Sequence, residues 1–198
     1  MNILGYSERG MLNAIFYGMN LLGEKKGLAK LCELLELIKV NGNQVFDKTK
    51  VVNAEIIIEP SLSDFGYPDV VIILNYSGKK CVLFFEAKVK TWHKDQWNSK
   101  ISNFKTQLRR FSDSVGKRIS KDGKKRKIGT NGVVLQFYKM IKDADEFYFI
   151  ALLPKKVSLK HNWGLLLWED IEKKLVIPGL KENFDFNRTV TDARSQIY

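Results

Sequence analysis

One stretch of this 198-residue chain gathers residue types that together can bind a cation and handle a phosphate: FGYPDVVIILNYSGKKCVLFFEAKVK, residues 65–90. The Pro68-Asp69 pair opens one apolar run, and Glu86-Ala87-Lys88 closes the next. Two carboxylates and an ammonium at the end of buried strands are costly without a partner. A hard divalent cation is the natural one, because Mg²⁺ takes oxygen ligands and keeps waters that a phosphate can replace. The lysine can then balance charge on the phosphate and orient the attacking water.

The spacing decides whether these groups meet. VVIIL and CVLFF are apolar at every position, as in strands covered on both faces and central in a sheet. Ser77-Gly78 between them makes a tight reversal, so Asp69–Tyr76 and Lys80–Lys88 form an antiparallel hairpin. With a two-residue turn, Asp69 lies opposite Glu86, both on one face, and Lys88 shares it. A bulged turn starting at Asn75 shifts this by about one residue but leaves both acids at the same end of the hairpin.

Other elements must frame the hairpin. Leu12, Ile15, Phe16 and Met19 predict a helix over Tyr6–Asn20, with Glu8 one turn before Leu12 on the inward stripe. Leu31, Leu34, Leu35 and Ile38 predict a second helix over Leu28–Val40, and NGNQVFDKTK reads as a turn region. Val52–Ile58 reads as a further strand. A long helix is expected over His93–Val115, its seam formed by Trp97, Ile101, Phe104, Leu108 and Phe111. Val133–Lys142 reads as a helix and Glu146–Leu153 as a strand. Trp163–Leu167 reads as a strand or a helix lead-in, continued by a helical turn through Glu172. The order predicts an α/β (α+β) fold, a mixed sheet flanked by helices. Residues 1–178 form one domain with a basic loop at 116–132, and 179–198 form a tail that packs on the body or on a partner.

The combination of Pro-Asp, apolar strand, tight turn, apolar strand, Glu-x-Lys and long helix resembles the PD-(D/E)XK nuclease superfamily, with its restriction-endonuclease-like core. The resemblance covers mainly Tyr6–Phe111. It implies that Asp69 and Glu86 bind Mg²⁺ or Mn²⁺, with the carbonyl of Ala87 joining the metal shell. It implies that Lys88 assists the attacking water. Glu8 matches the acid that many members carry on the first helix, and Gln107, within FKTQLRRF, matches a glutamine that reaches the site in some members. Glu-x-Lys alone carries little, since it occurs three times in the chain, but only the copy at Glu86 ends a buried strand, and Pro-Asp occurs once.

Plainer readings stand beside these. Asp69 alone is a strand-start residue after a turn. Glu86 and Lys88 also suit a solvated pair at an exposed strand end. Glu8 reads equally well as a helix-start carboxylate behind a Ser7 cap. Gln107 suits a polar residue flanking a core seam. Glu59, at the end of the first strand, could approach the site but suits a strand-end charge better. His93 and His161 show neither metal-ligand spacing nor a nucleophile partner, and no P-loop, CxxC or serine-hydrolase elbow is present. Trp92 suits base stacking and a core role equally.

Charge points to a partner. Lys and Arg exceed Asp and Glu by a formal net +11, a surplus that attracts polyanions. Lys117, Arg118, Lys121, Lys124, Lys125, Arg126 and Lys127 crowd the loop, joined by Lys105, Arg109 and Arg110 on the preceding helix. Lysine runs are usually just solvated, but beside a phosphodiesterase site such a cluster supplies phosphate contacts. The two cysteines, Cys32 and Cys81, rule out a disulfide scaffold and point to a reducing, cytoplasmic setting. No signal peptide or membrane span is expected, since the apolar runs are short. The expectation is a metal-dependent nuclease acting on DNA. The alternative is a non-catalytic nucleic-acid-binding or interaction module on the same fold. A homodimer is one way to cut two strands.

Overall fold

The computed structural model describes residues 8–60, 68–88, 118–119, 125–126, 133–154, 156–157, 159 and 163–177. In chain order the elements are α1 (Glu8–Leu21), α2 (Glu24–Glu36), β1 (Lys39–Val40), β2 (Asn43–Gln44), a 3₁₀ turn (Lys48–Lys50), β3 (Val51–Ile58), β4 (Val70–Tyr76) and β5 (Lys79–Ala87). Then follow β6 (Arg118–Ile119), β7 (Lys125–Arg126), α3 (Val133–Ile141), β8 (Glu146–Leu153), β9 (Gly164–Leu167) and α4 (Trp168–Lys174).

Seven strands make one mixed sheet in the order β2-β1-β9-β8-β5-β4-β3. β5, β8 and β9 run parallel to one another, and the remaining neighbours are antiparallel. β4 and β5 lie inside the sheet with apolar side chains buried on both faces, as their unbroken apolar runs predict. The hairpin forms around Ser77-Gly78, both in the left-handed region (φ 51° and 78°), which matches the right-handed twist of the strands. Its register runs from Tyr76–Lys79 to Val70–Phe85, as a two-residue turn requires.

Alternation along the strands divides the core in two. Val70, Ile72, Leu74, Leu83, Phe85 and Ala87 meet the apolar faces of α1, α2 and α4. Val71, Ile73, Val82 and Phe84 face the other way, toward Phe137 and Ile141 of α3. Each fully buried side chain of this size stabilises the fold by roughly 1.5–3 kcal/mol. Helices therefore cover both faces. α1 and α2 approach closely at Gly27, where a Cβ would lie 2.5 Å from the Met19 carbonyl oxygen.

Three segments depart from the pattern-based expectation. α2 begins at Glu24 and ends at Glu36, not over Leu28–Val40. Ile38 is buried, but just beyond the helix end, where its N–H donates to the Leu35 carbonyl at 3.1 Å, and Lys39–Val40 pairs with β9. The expected turn region opens with a hairpin, since Asn41 and Gly42 (φ 51° and 87°) form a two-residue reversal between β1 and β2. The basic loop contains a two-stranded ribbon, β6 with β7, pairing Arg118 with Arg126 and Ile119 with Lys125. The expected helix at 93–115 and the tail at 179–198 lie outside the described residues.

At the sheet end carrying the β4–β5 turn, Lys79 and Tyr148 both donate to Glu146. These two bonds hold the Glu146 carboxyl below its ordinary range. The bond to Glu146 raises Lys79. Burial first, then the bond to Glu146, pushes the Tyr148 phenol up. No described helix is long and apolar enough to cross a membrane. Both cysteines are buried thiols, and burial pushes Cys81 up to about 11.

Candidate active site

The opposite end of the hairpin is where β4 stops and β5 continues. β5 runs on to Ala87 because its other edge is held by β8, and the Lys88 N–H still donates to the Leu152 carbonyl at 2.9 Å. On the β4 side the ladder needs an acceptor beyond Val70. Pro68 and Asp69 take the chain out of the strand there.

Asp69 completes the ladder. Its own N–H donates to the Phe85 carbonyl at 3.0 Å. Its carboxylate Oδ2 accepts the Ala87 N–H at 2.8 Å. The residue is buried, 7% exposed. Asp69 therefore does not stand squarely opposite Glu86, since the regular register ends at Val70–Phe85. Its carboxylate instead reaches along the hydrogen-bonding direction of the sheet, toward the end of β5.

Lys88 turns back toward the same place. Its Nζ donates to the Ala87 carbonyl at 2.6 Å and pairs with Glu86 Oε1 at 2.9 Å. The two side chains of this ion pair are only 10% and 14% exposed, so the plainer reading of a solvated pair does not hold. The indole N–H of Trp168, the first residue of α4, donates to the Lys88 carbonyl at 3.0 Å and ties the end of β5 to that helix. Asp69, Glu86 and Lys88 thus surround the main chain of Ala87, two carboxylates against one ammonium.

Glu59 closes one flank. Its N–H donates to the Asp69 carbonyl at 2.9 Å, which ties β3 to the site through backbone. Glu59 has φ +50° and precedes Pro60, a position normally extended, so its backbone is strained by about 1–3 kcal/mol. Asn13 of α1 donates to Glu59 Oε1 at 3.3 Å. Neither the Asn13 link nor the role of Trp168 left a local signal in the sequence. A lone asparagine on a helix and a tryptophan after an apolar strand read as surface and core.

The expected residues divide accordingly. Asp69, Glu86, Ala87 and Lys88 come together. Glu8 opens α1, but its side chain lies outside the described residues, as do Gln107, Lys105, Arg109, Arg110, Lys117, Lys121, Lys124 and Lys127. Arg118, Lys125 and Arg126 are placed in the ribbon by backbone alone. His93, His161 and Trp92 also fall outside.

The donor set, carboxylate and carbonyl oxygens, suits a hard cation such as Mg²⁺. Among the described residues no group of three or more His, Cys, Asp or Glu side chains gathers closely enough to hold a metal ion, so such a cation would draw on the Ala87 carbonyl and on water as well. Comparison with protein-family models, with curated proteins and with solved structures finds no match. The class that the fold defines is α+β, a seven-stranded mixed sheet flanked by helices.

Proposed function

We propose that the protein is a divalent-metal-dependent nuclease of the PD-(D/E)XK type, acting on DNA. The observation that carries the reading is the grouping of Asp69, Glu86 and Lys88 around Ala87 at the carboxyl end of β5. Ligands of open α/β sheets collect outside the carboxyl ends of parallel strands, and β5, β8 and β9 all end on this side. The net charge of +11 supplies attraction to a polyanion.

In this reading Asp69, Glu86 and the Ala87 carbonyl would hold Mg²⁺ or Mn²⁺. When bound, the cation supplies Lewis-acid polarisation of the phosphate and lowers the pKa of water. The chain's own groups do the positioning. Asp69 is fixed by the Ala87 N–H, so its carboxylate enters the reaction already oriented. The Lys88 ammonium leaves the Ala87 carbonyl and turns to the phosphate, where it balances charge and aligns water. Trp168 holds the Lys88 main chain while the side chain moves.

A second reading has its own observation. Lys88 already satisfies both Glu86 and the Ala87 carbonyl, an arrangement that suits a structural ion pair in a non-catalytic nucleic-acid-binding module. Plasmid and linear DNA incubated with Mg²⁺ or Mn²⁺ separate the two. Cleavage that disappears in Asp69→Ala and Lys88→Ala supports the nuclease. Cleavage that survives both substitutions, or salt-sensitive binding without cleavage in either metal, overturns it.

A further inference from the structure

We propose that the open edge of β3 pairs antiparallel with β3 of a second copy of this chain, joining the two seven-stranded sheets across a two-fold axis at Ile56. β3 closes one end of the sheet, and β4 is its one strand neighbour among the described residues. The other end closes on β2, which is two residues long and polar, Asn43–Gln44. A short polar edge resists pairing, whereas a long apolar one is a template for another strand. β3 runs for eight residues, VVNAEIII, with Glu55 its single charge.

The backbone decides what this edge offers. The Glu59 N–H donates to the Asp69 carbonyl, and the ladder with β4 continues without a shift from Ile58–Val70 to Asn53–Asn75. Alternation therefore points the N–H and C=O groups of Ile57, Glu55 and Asn53 at β4, and those of Ala54, Ile56 and Ile58 away from it. The register shift between Val51 and Asn53 bounds this regular edge at its start. The side chains of Ala54, Ile56 and Ile58 face the α1 and α2 side of the sheet and are only half-buried. A hollow of about 550 Å³ opens beside them toward Tyr17 of α1 and Leu28 of α2, with Tyr17 and Val52 both exposed at it.

The strand's own sequence selects the register. Antiparallel pairing of β3 with itself must set outward groups against outward groups, so the axis falls on a residue. An axis at Ala54 or Ile57 overlaps only a short stretch of the regular edge. Axes at Glu55 and Ile56 overlap more, residues 53–57 and 54–58, but the first sets Glu55 against Glu55, which is unfavourable. The axis at Ile56 sets Ile56 against Ile56, Ala54 against Ile58 and Glu55 against Ile57, with no like charges opposed. An axis perpendicular to the sheet keeps α1 and α2 of both copies on one face, so the two hollows face each other and their apolar linings cover one another. The interface is independent of the metal reading and needs neither Asp69 nor Lys88.

Sedimentation equilibrium of the full chain should show a reversible monomer–dimer equilibrium. Ala54→Pro removes an outward N–H and leaves the ladder with β4 intact. Symmetry removes that bond twice, so the dimer should weaken by about tenfold or more with unchanged circular dichroism. Cysteine variants read the register even if the proline variant fails to fold. Ile56→Cys meets its own copy at the axis and should give a disulfide-linked dimer in oxidised glutathione, whereas Ala54→Cys, which faces Ile58, should stay unlinked. Cys32 and Cys81 are buried and do not compete. A chain that stays monomeric at every concentration overturns the proposal, as does a dimer that Ala54→Pro leaves intact or crosslinking that does not distinguish the two cysteine variants. Slow hydrogen exchange at Ala54 and Ile56 in a monomer puts another segment of this chain on the edge and equally overturns it.

Discussion

The carboxylate of Asp69 accepts the Ala87 N–H at 2.8 Å, a bond that a backbone carbonyl would make if β4 ran on. One side chain therefore finishes the sheet and presents a charge at the end of β5. The two roles separate by substitution. Asp69→Ala strands a buried N–H and should cost about 1–3 kcal/mol in denaturant unfolding. Asp69→Asn keeps an acceptor of the same shape and should recover most of that stability. It removes the negative charge, so Mn²⁺ binding measured by calorimetry should fall in both variants.

Lys88 holds the Glu86 carboxylate and the Ala87 carbonyl together in the way a cation would. Lys88→Met breaks a largely buried ion pair by removing its ammonium and should destabilise the protein by about 3 kcal/mol in metal-free buffer. Removing the competing positive charge should tighten Mn²⁺ binding several-fold and let Mn²⁺ restore much of the lost stability. Cleavage should nonetheless be lost. An unchanged Mn²⁺ affinity in Lys88→Met would mean that ammonium and metal do not share this place.

The Lys79–Glu146–Tyr148 group sets a pH dependence at the other end of the sheet. Glu146 lies below its unfolded value of about 4.3, so its contribution is present above that pH and fades as pH falls through the folded value. Lys79 is raised above about 10.4, so its share is present below that pH and fades as pH rises through the folded value. Glu146→Gln should therefore show a small loss in melting temperature at pH 7 that shrinks on going to pH 3. Scanning calorimetry at the two pH values reads the difference.

What was legible in the chain was local. Ser77-Gly78 between two apolar runs sets the hairpin and its register, because a two-residue turn leaves no freedom to slip. The Leu12–Met19 stripe reads as a helix because its period is intrinsic to the segment. Lys39–Val40 misreads because Leu31 to Ile38 continues a helical pattern, while pairing with β2 and with the distant β9 pulls those residues into the sheet. Asn41-Gly42 was the hairpin signal there, masked by that pattern. At the site, residue types and the shared strand end were readable. The in-plane turn of Asp69 toward Ala87 was not, because it depends on where β4 leaves a sheet that β8 extends. The approach of Glu59 to the site was readable from its place at the end of a strand, but its left-handed backbone was not, since a residue before proline is normally extended.

A crystal soaked in Mn²⁺ tests the central claim most directly, through an anomalous difference map at the end of β5. The account requires a peak bonded to the Asp69 and Glu86 carboxylates and the Ala87 carbonyl, with Lys88 Nζ displaced from that carbonyl. A map without density there, in which Lys88 still bridges Glu86 and Ala87 at saturating Mn²⁺, contradicts it.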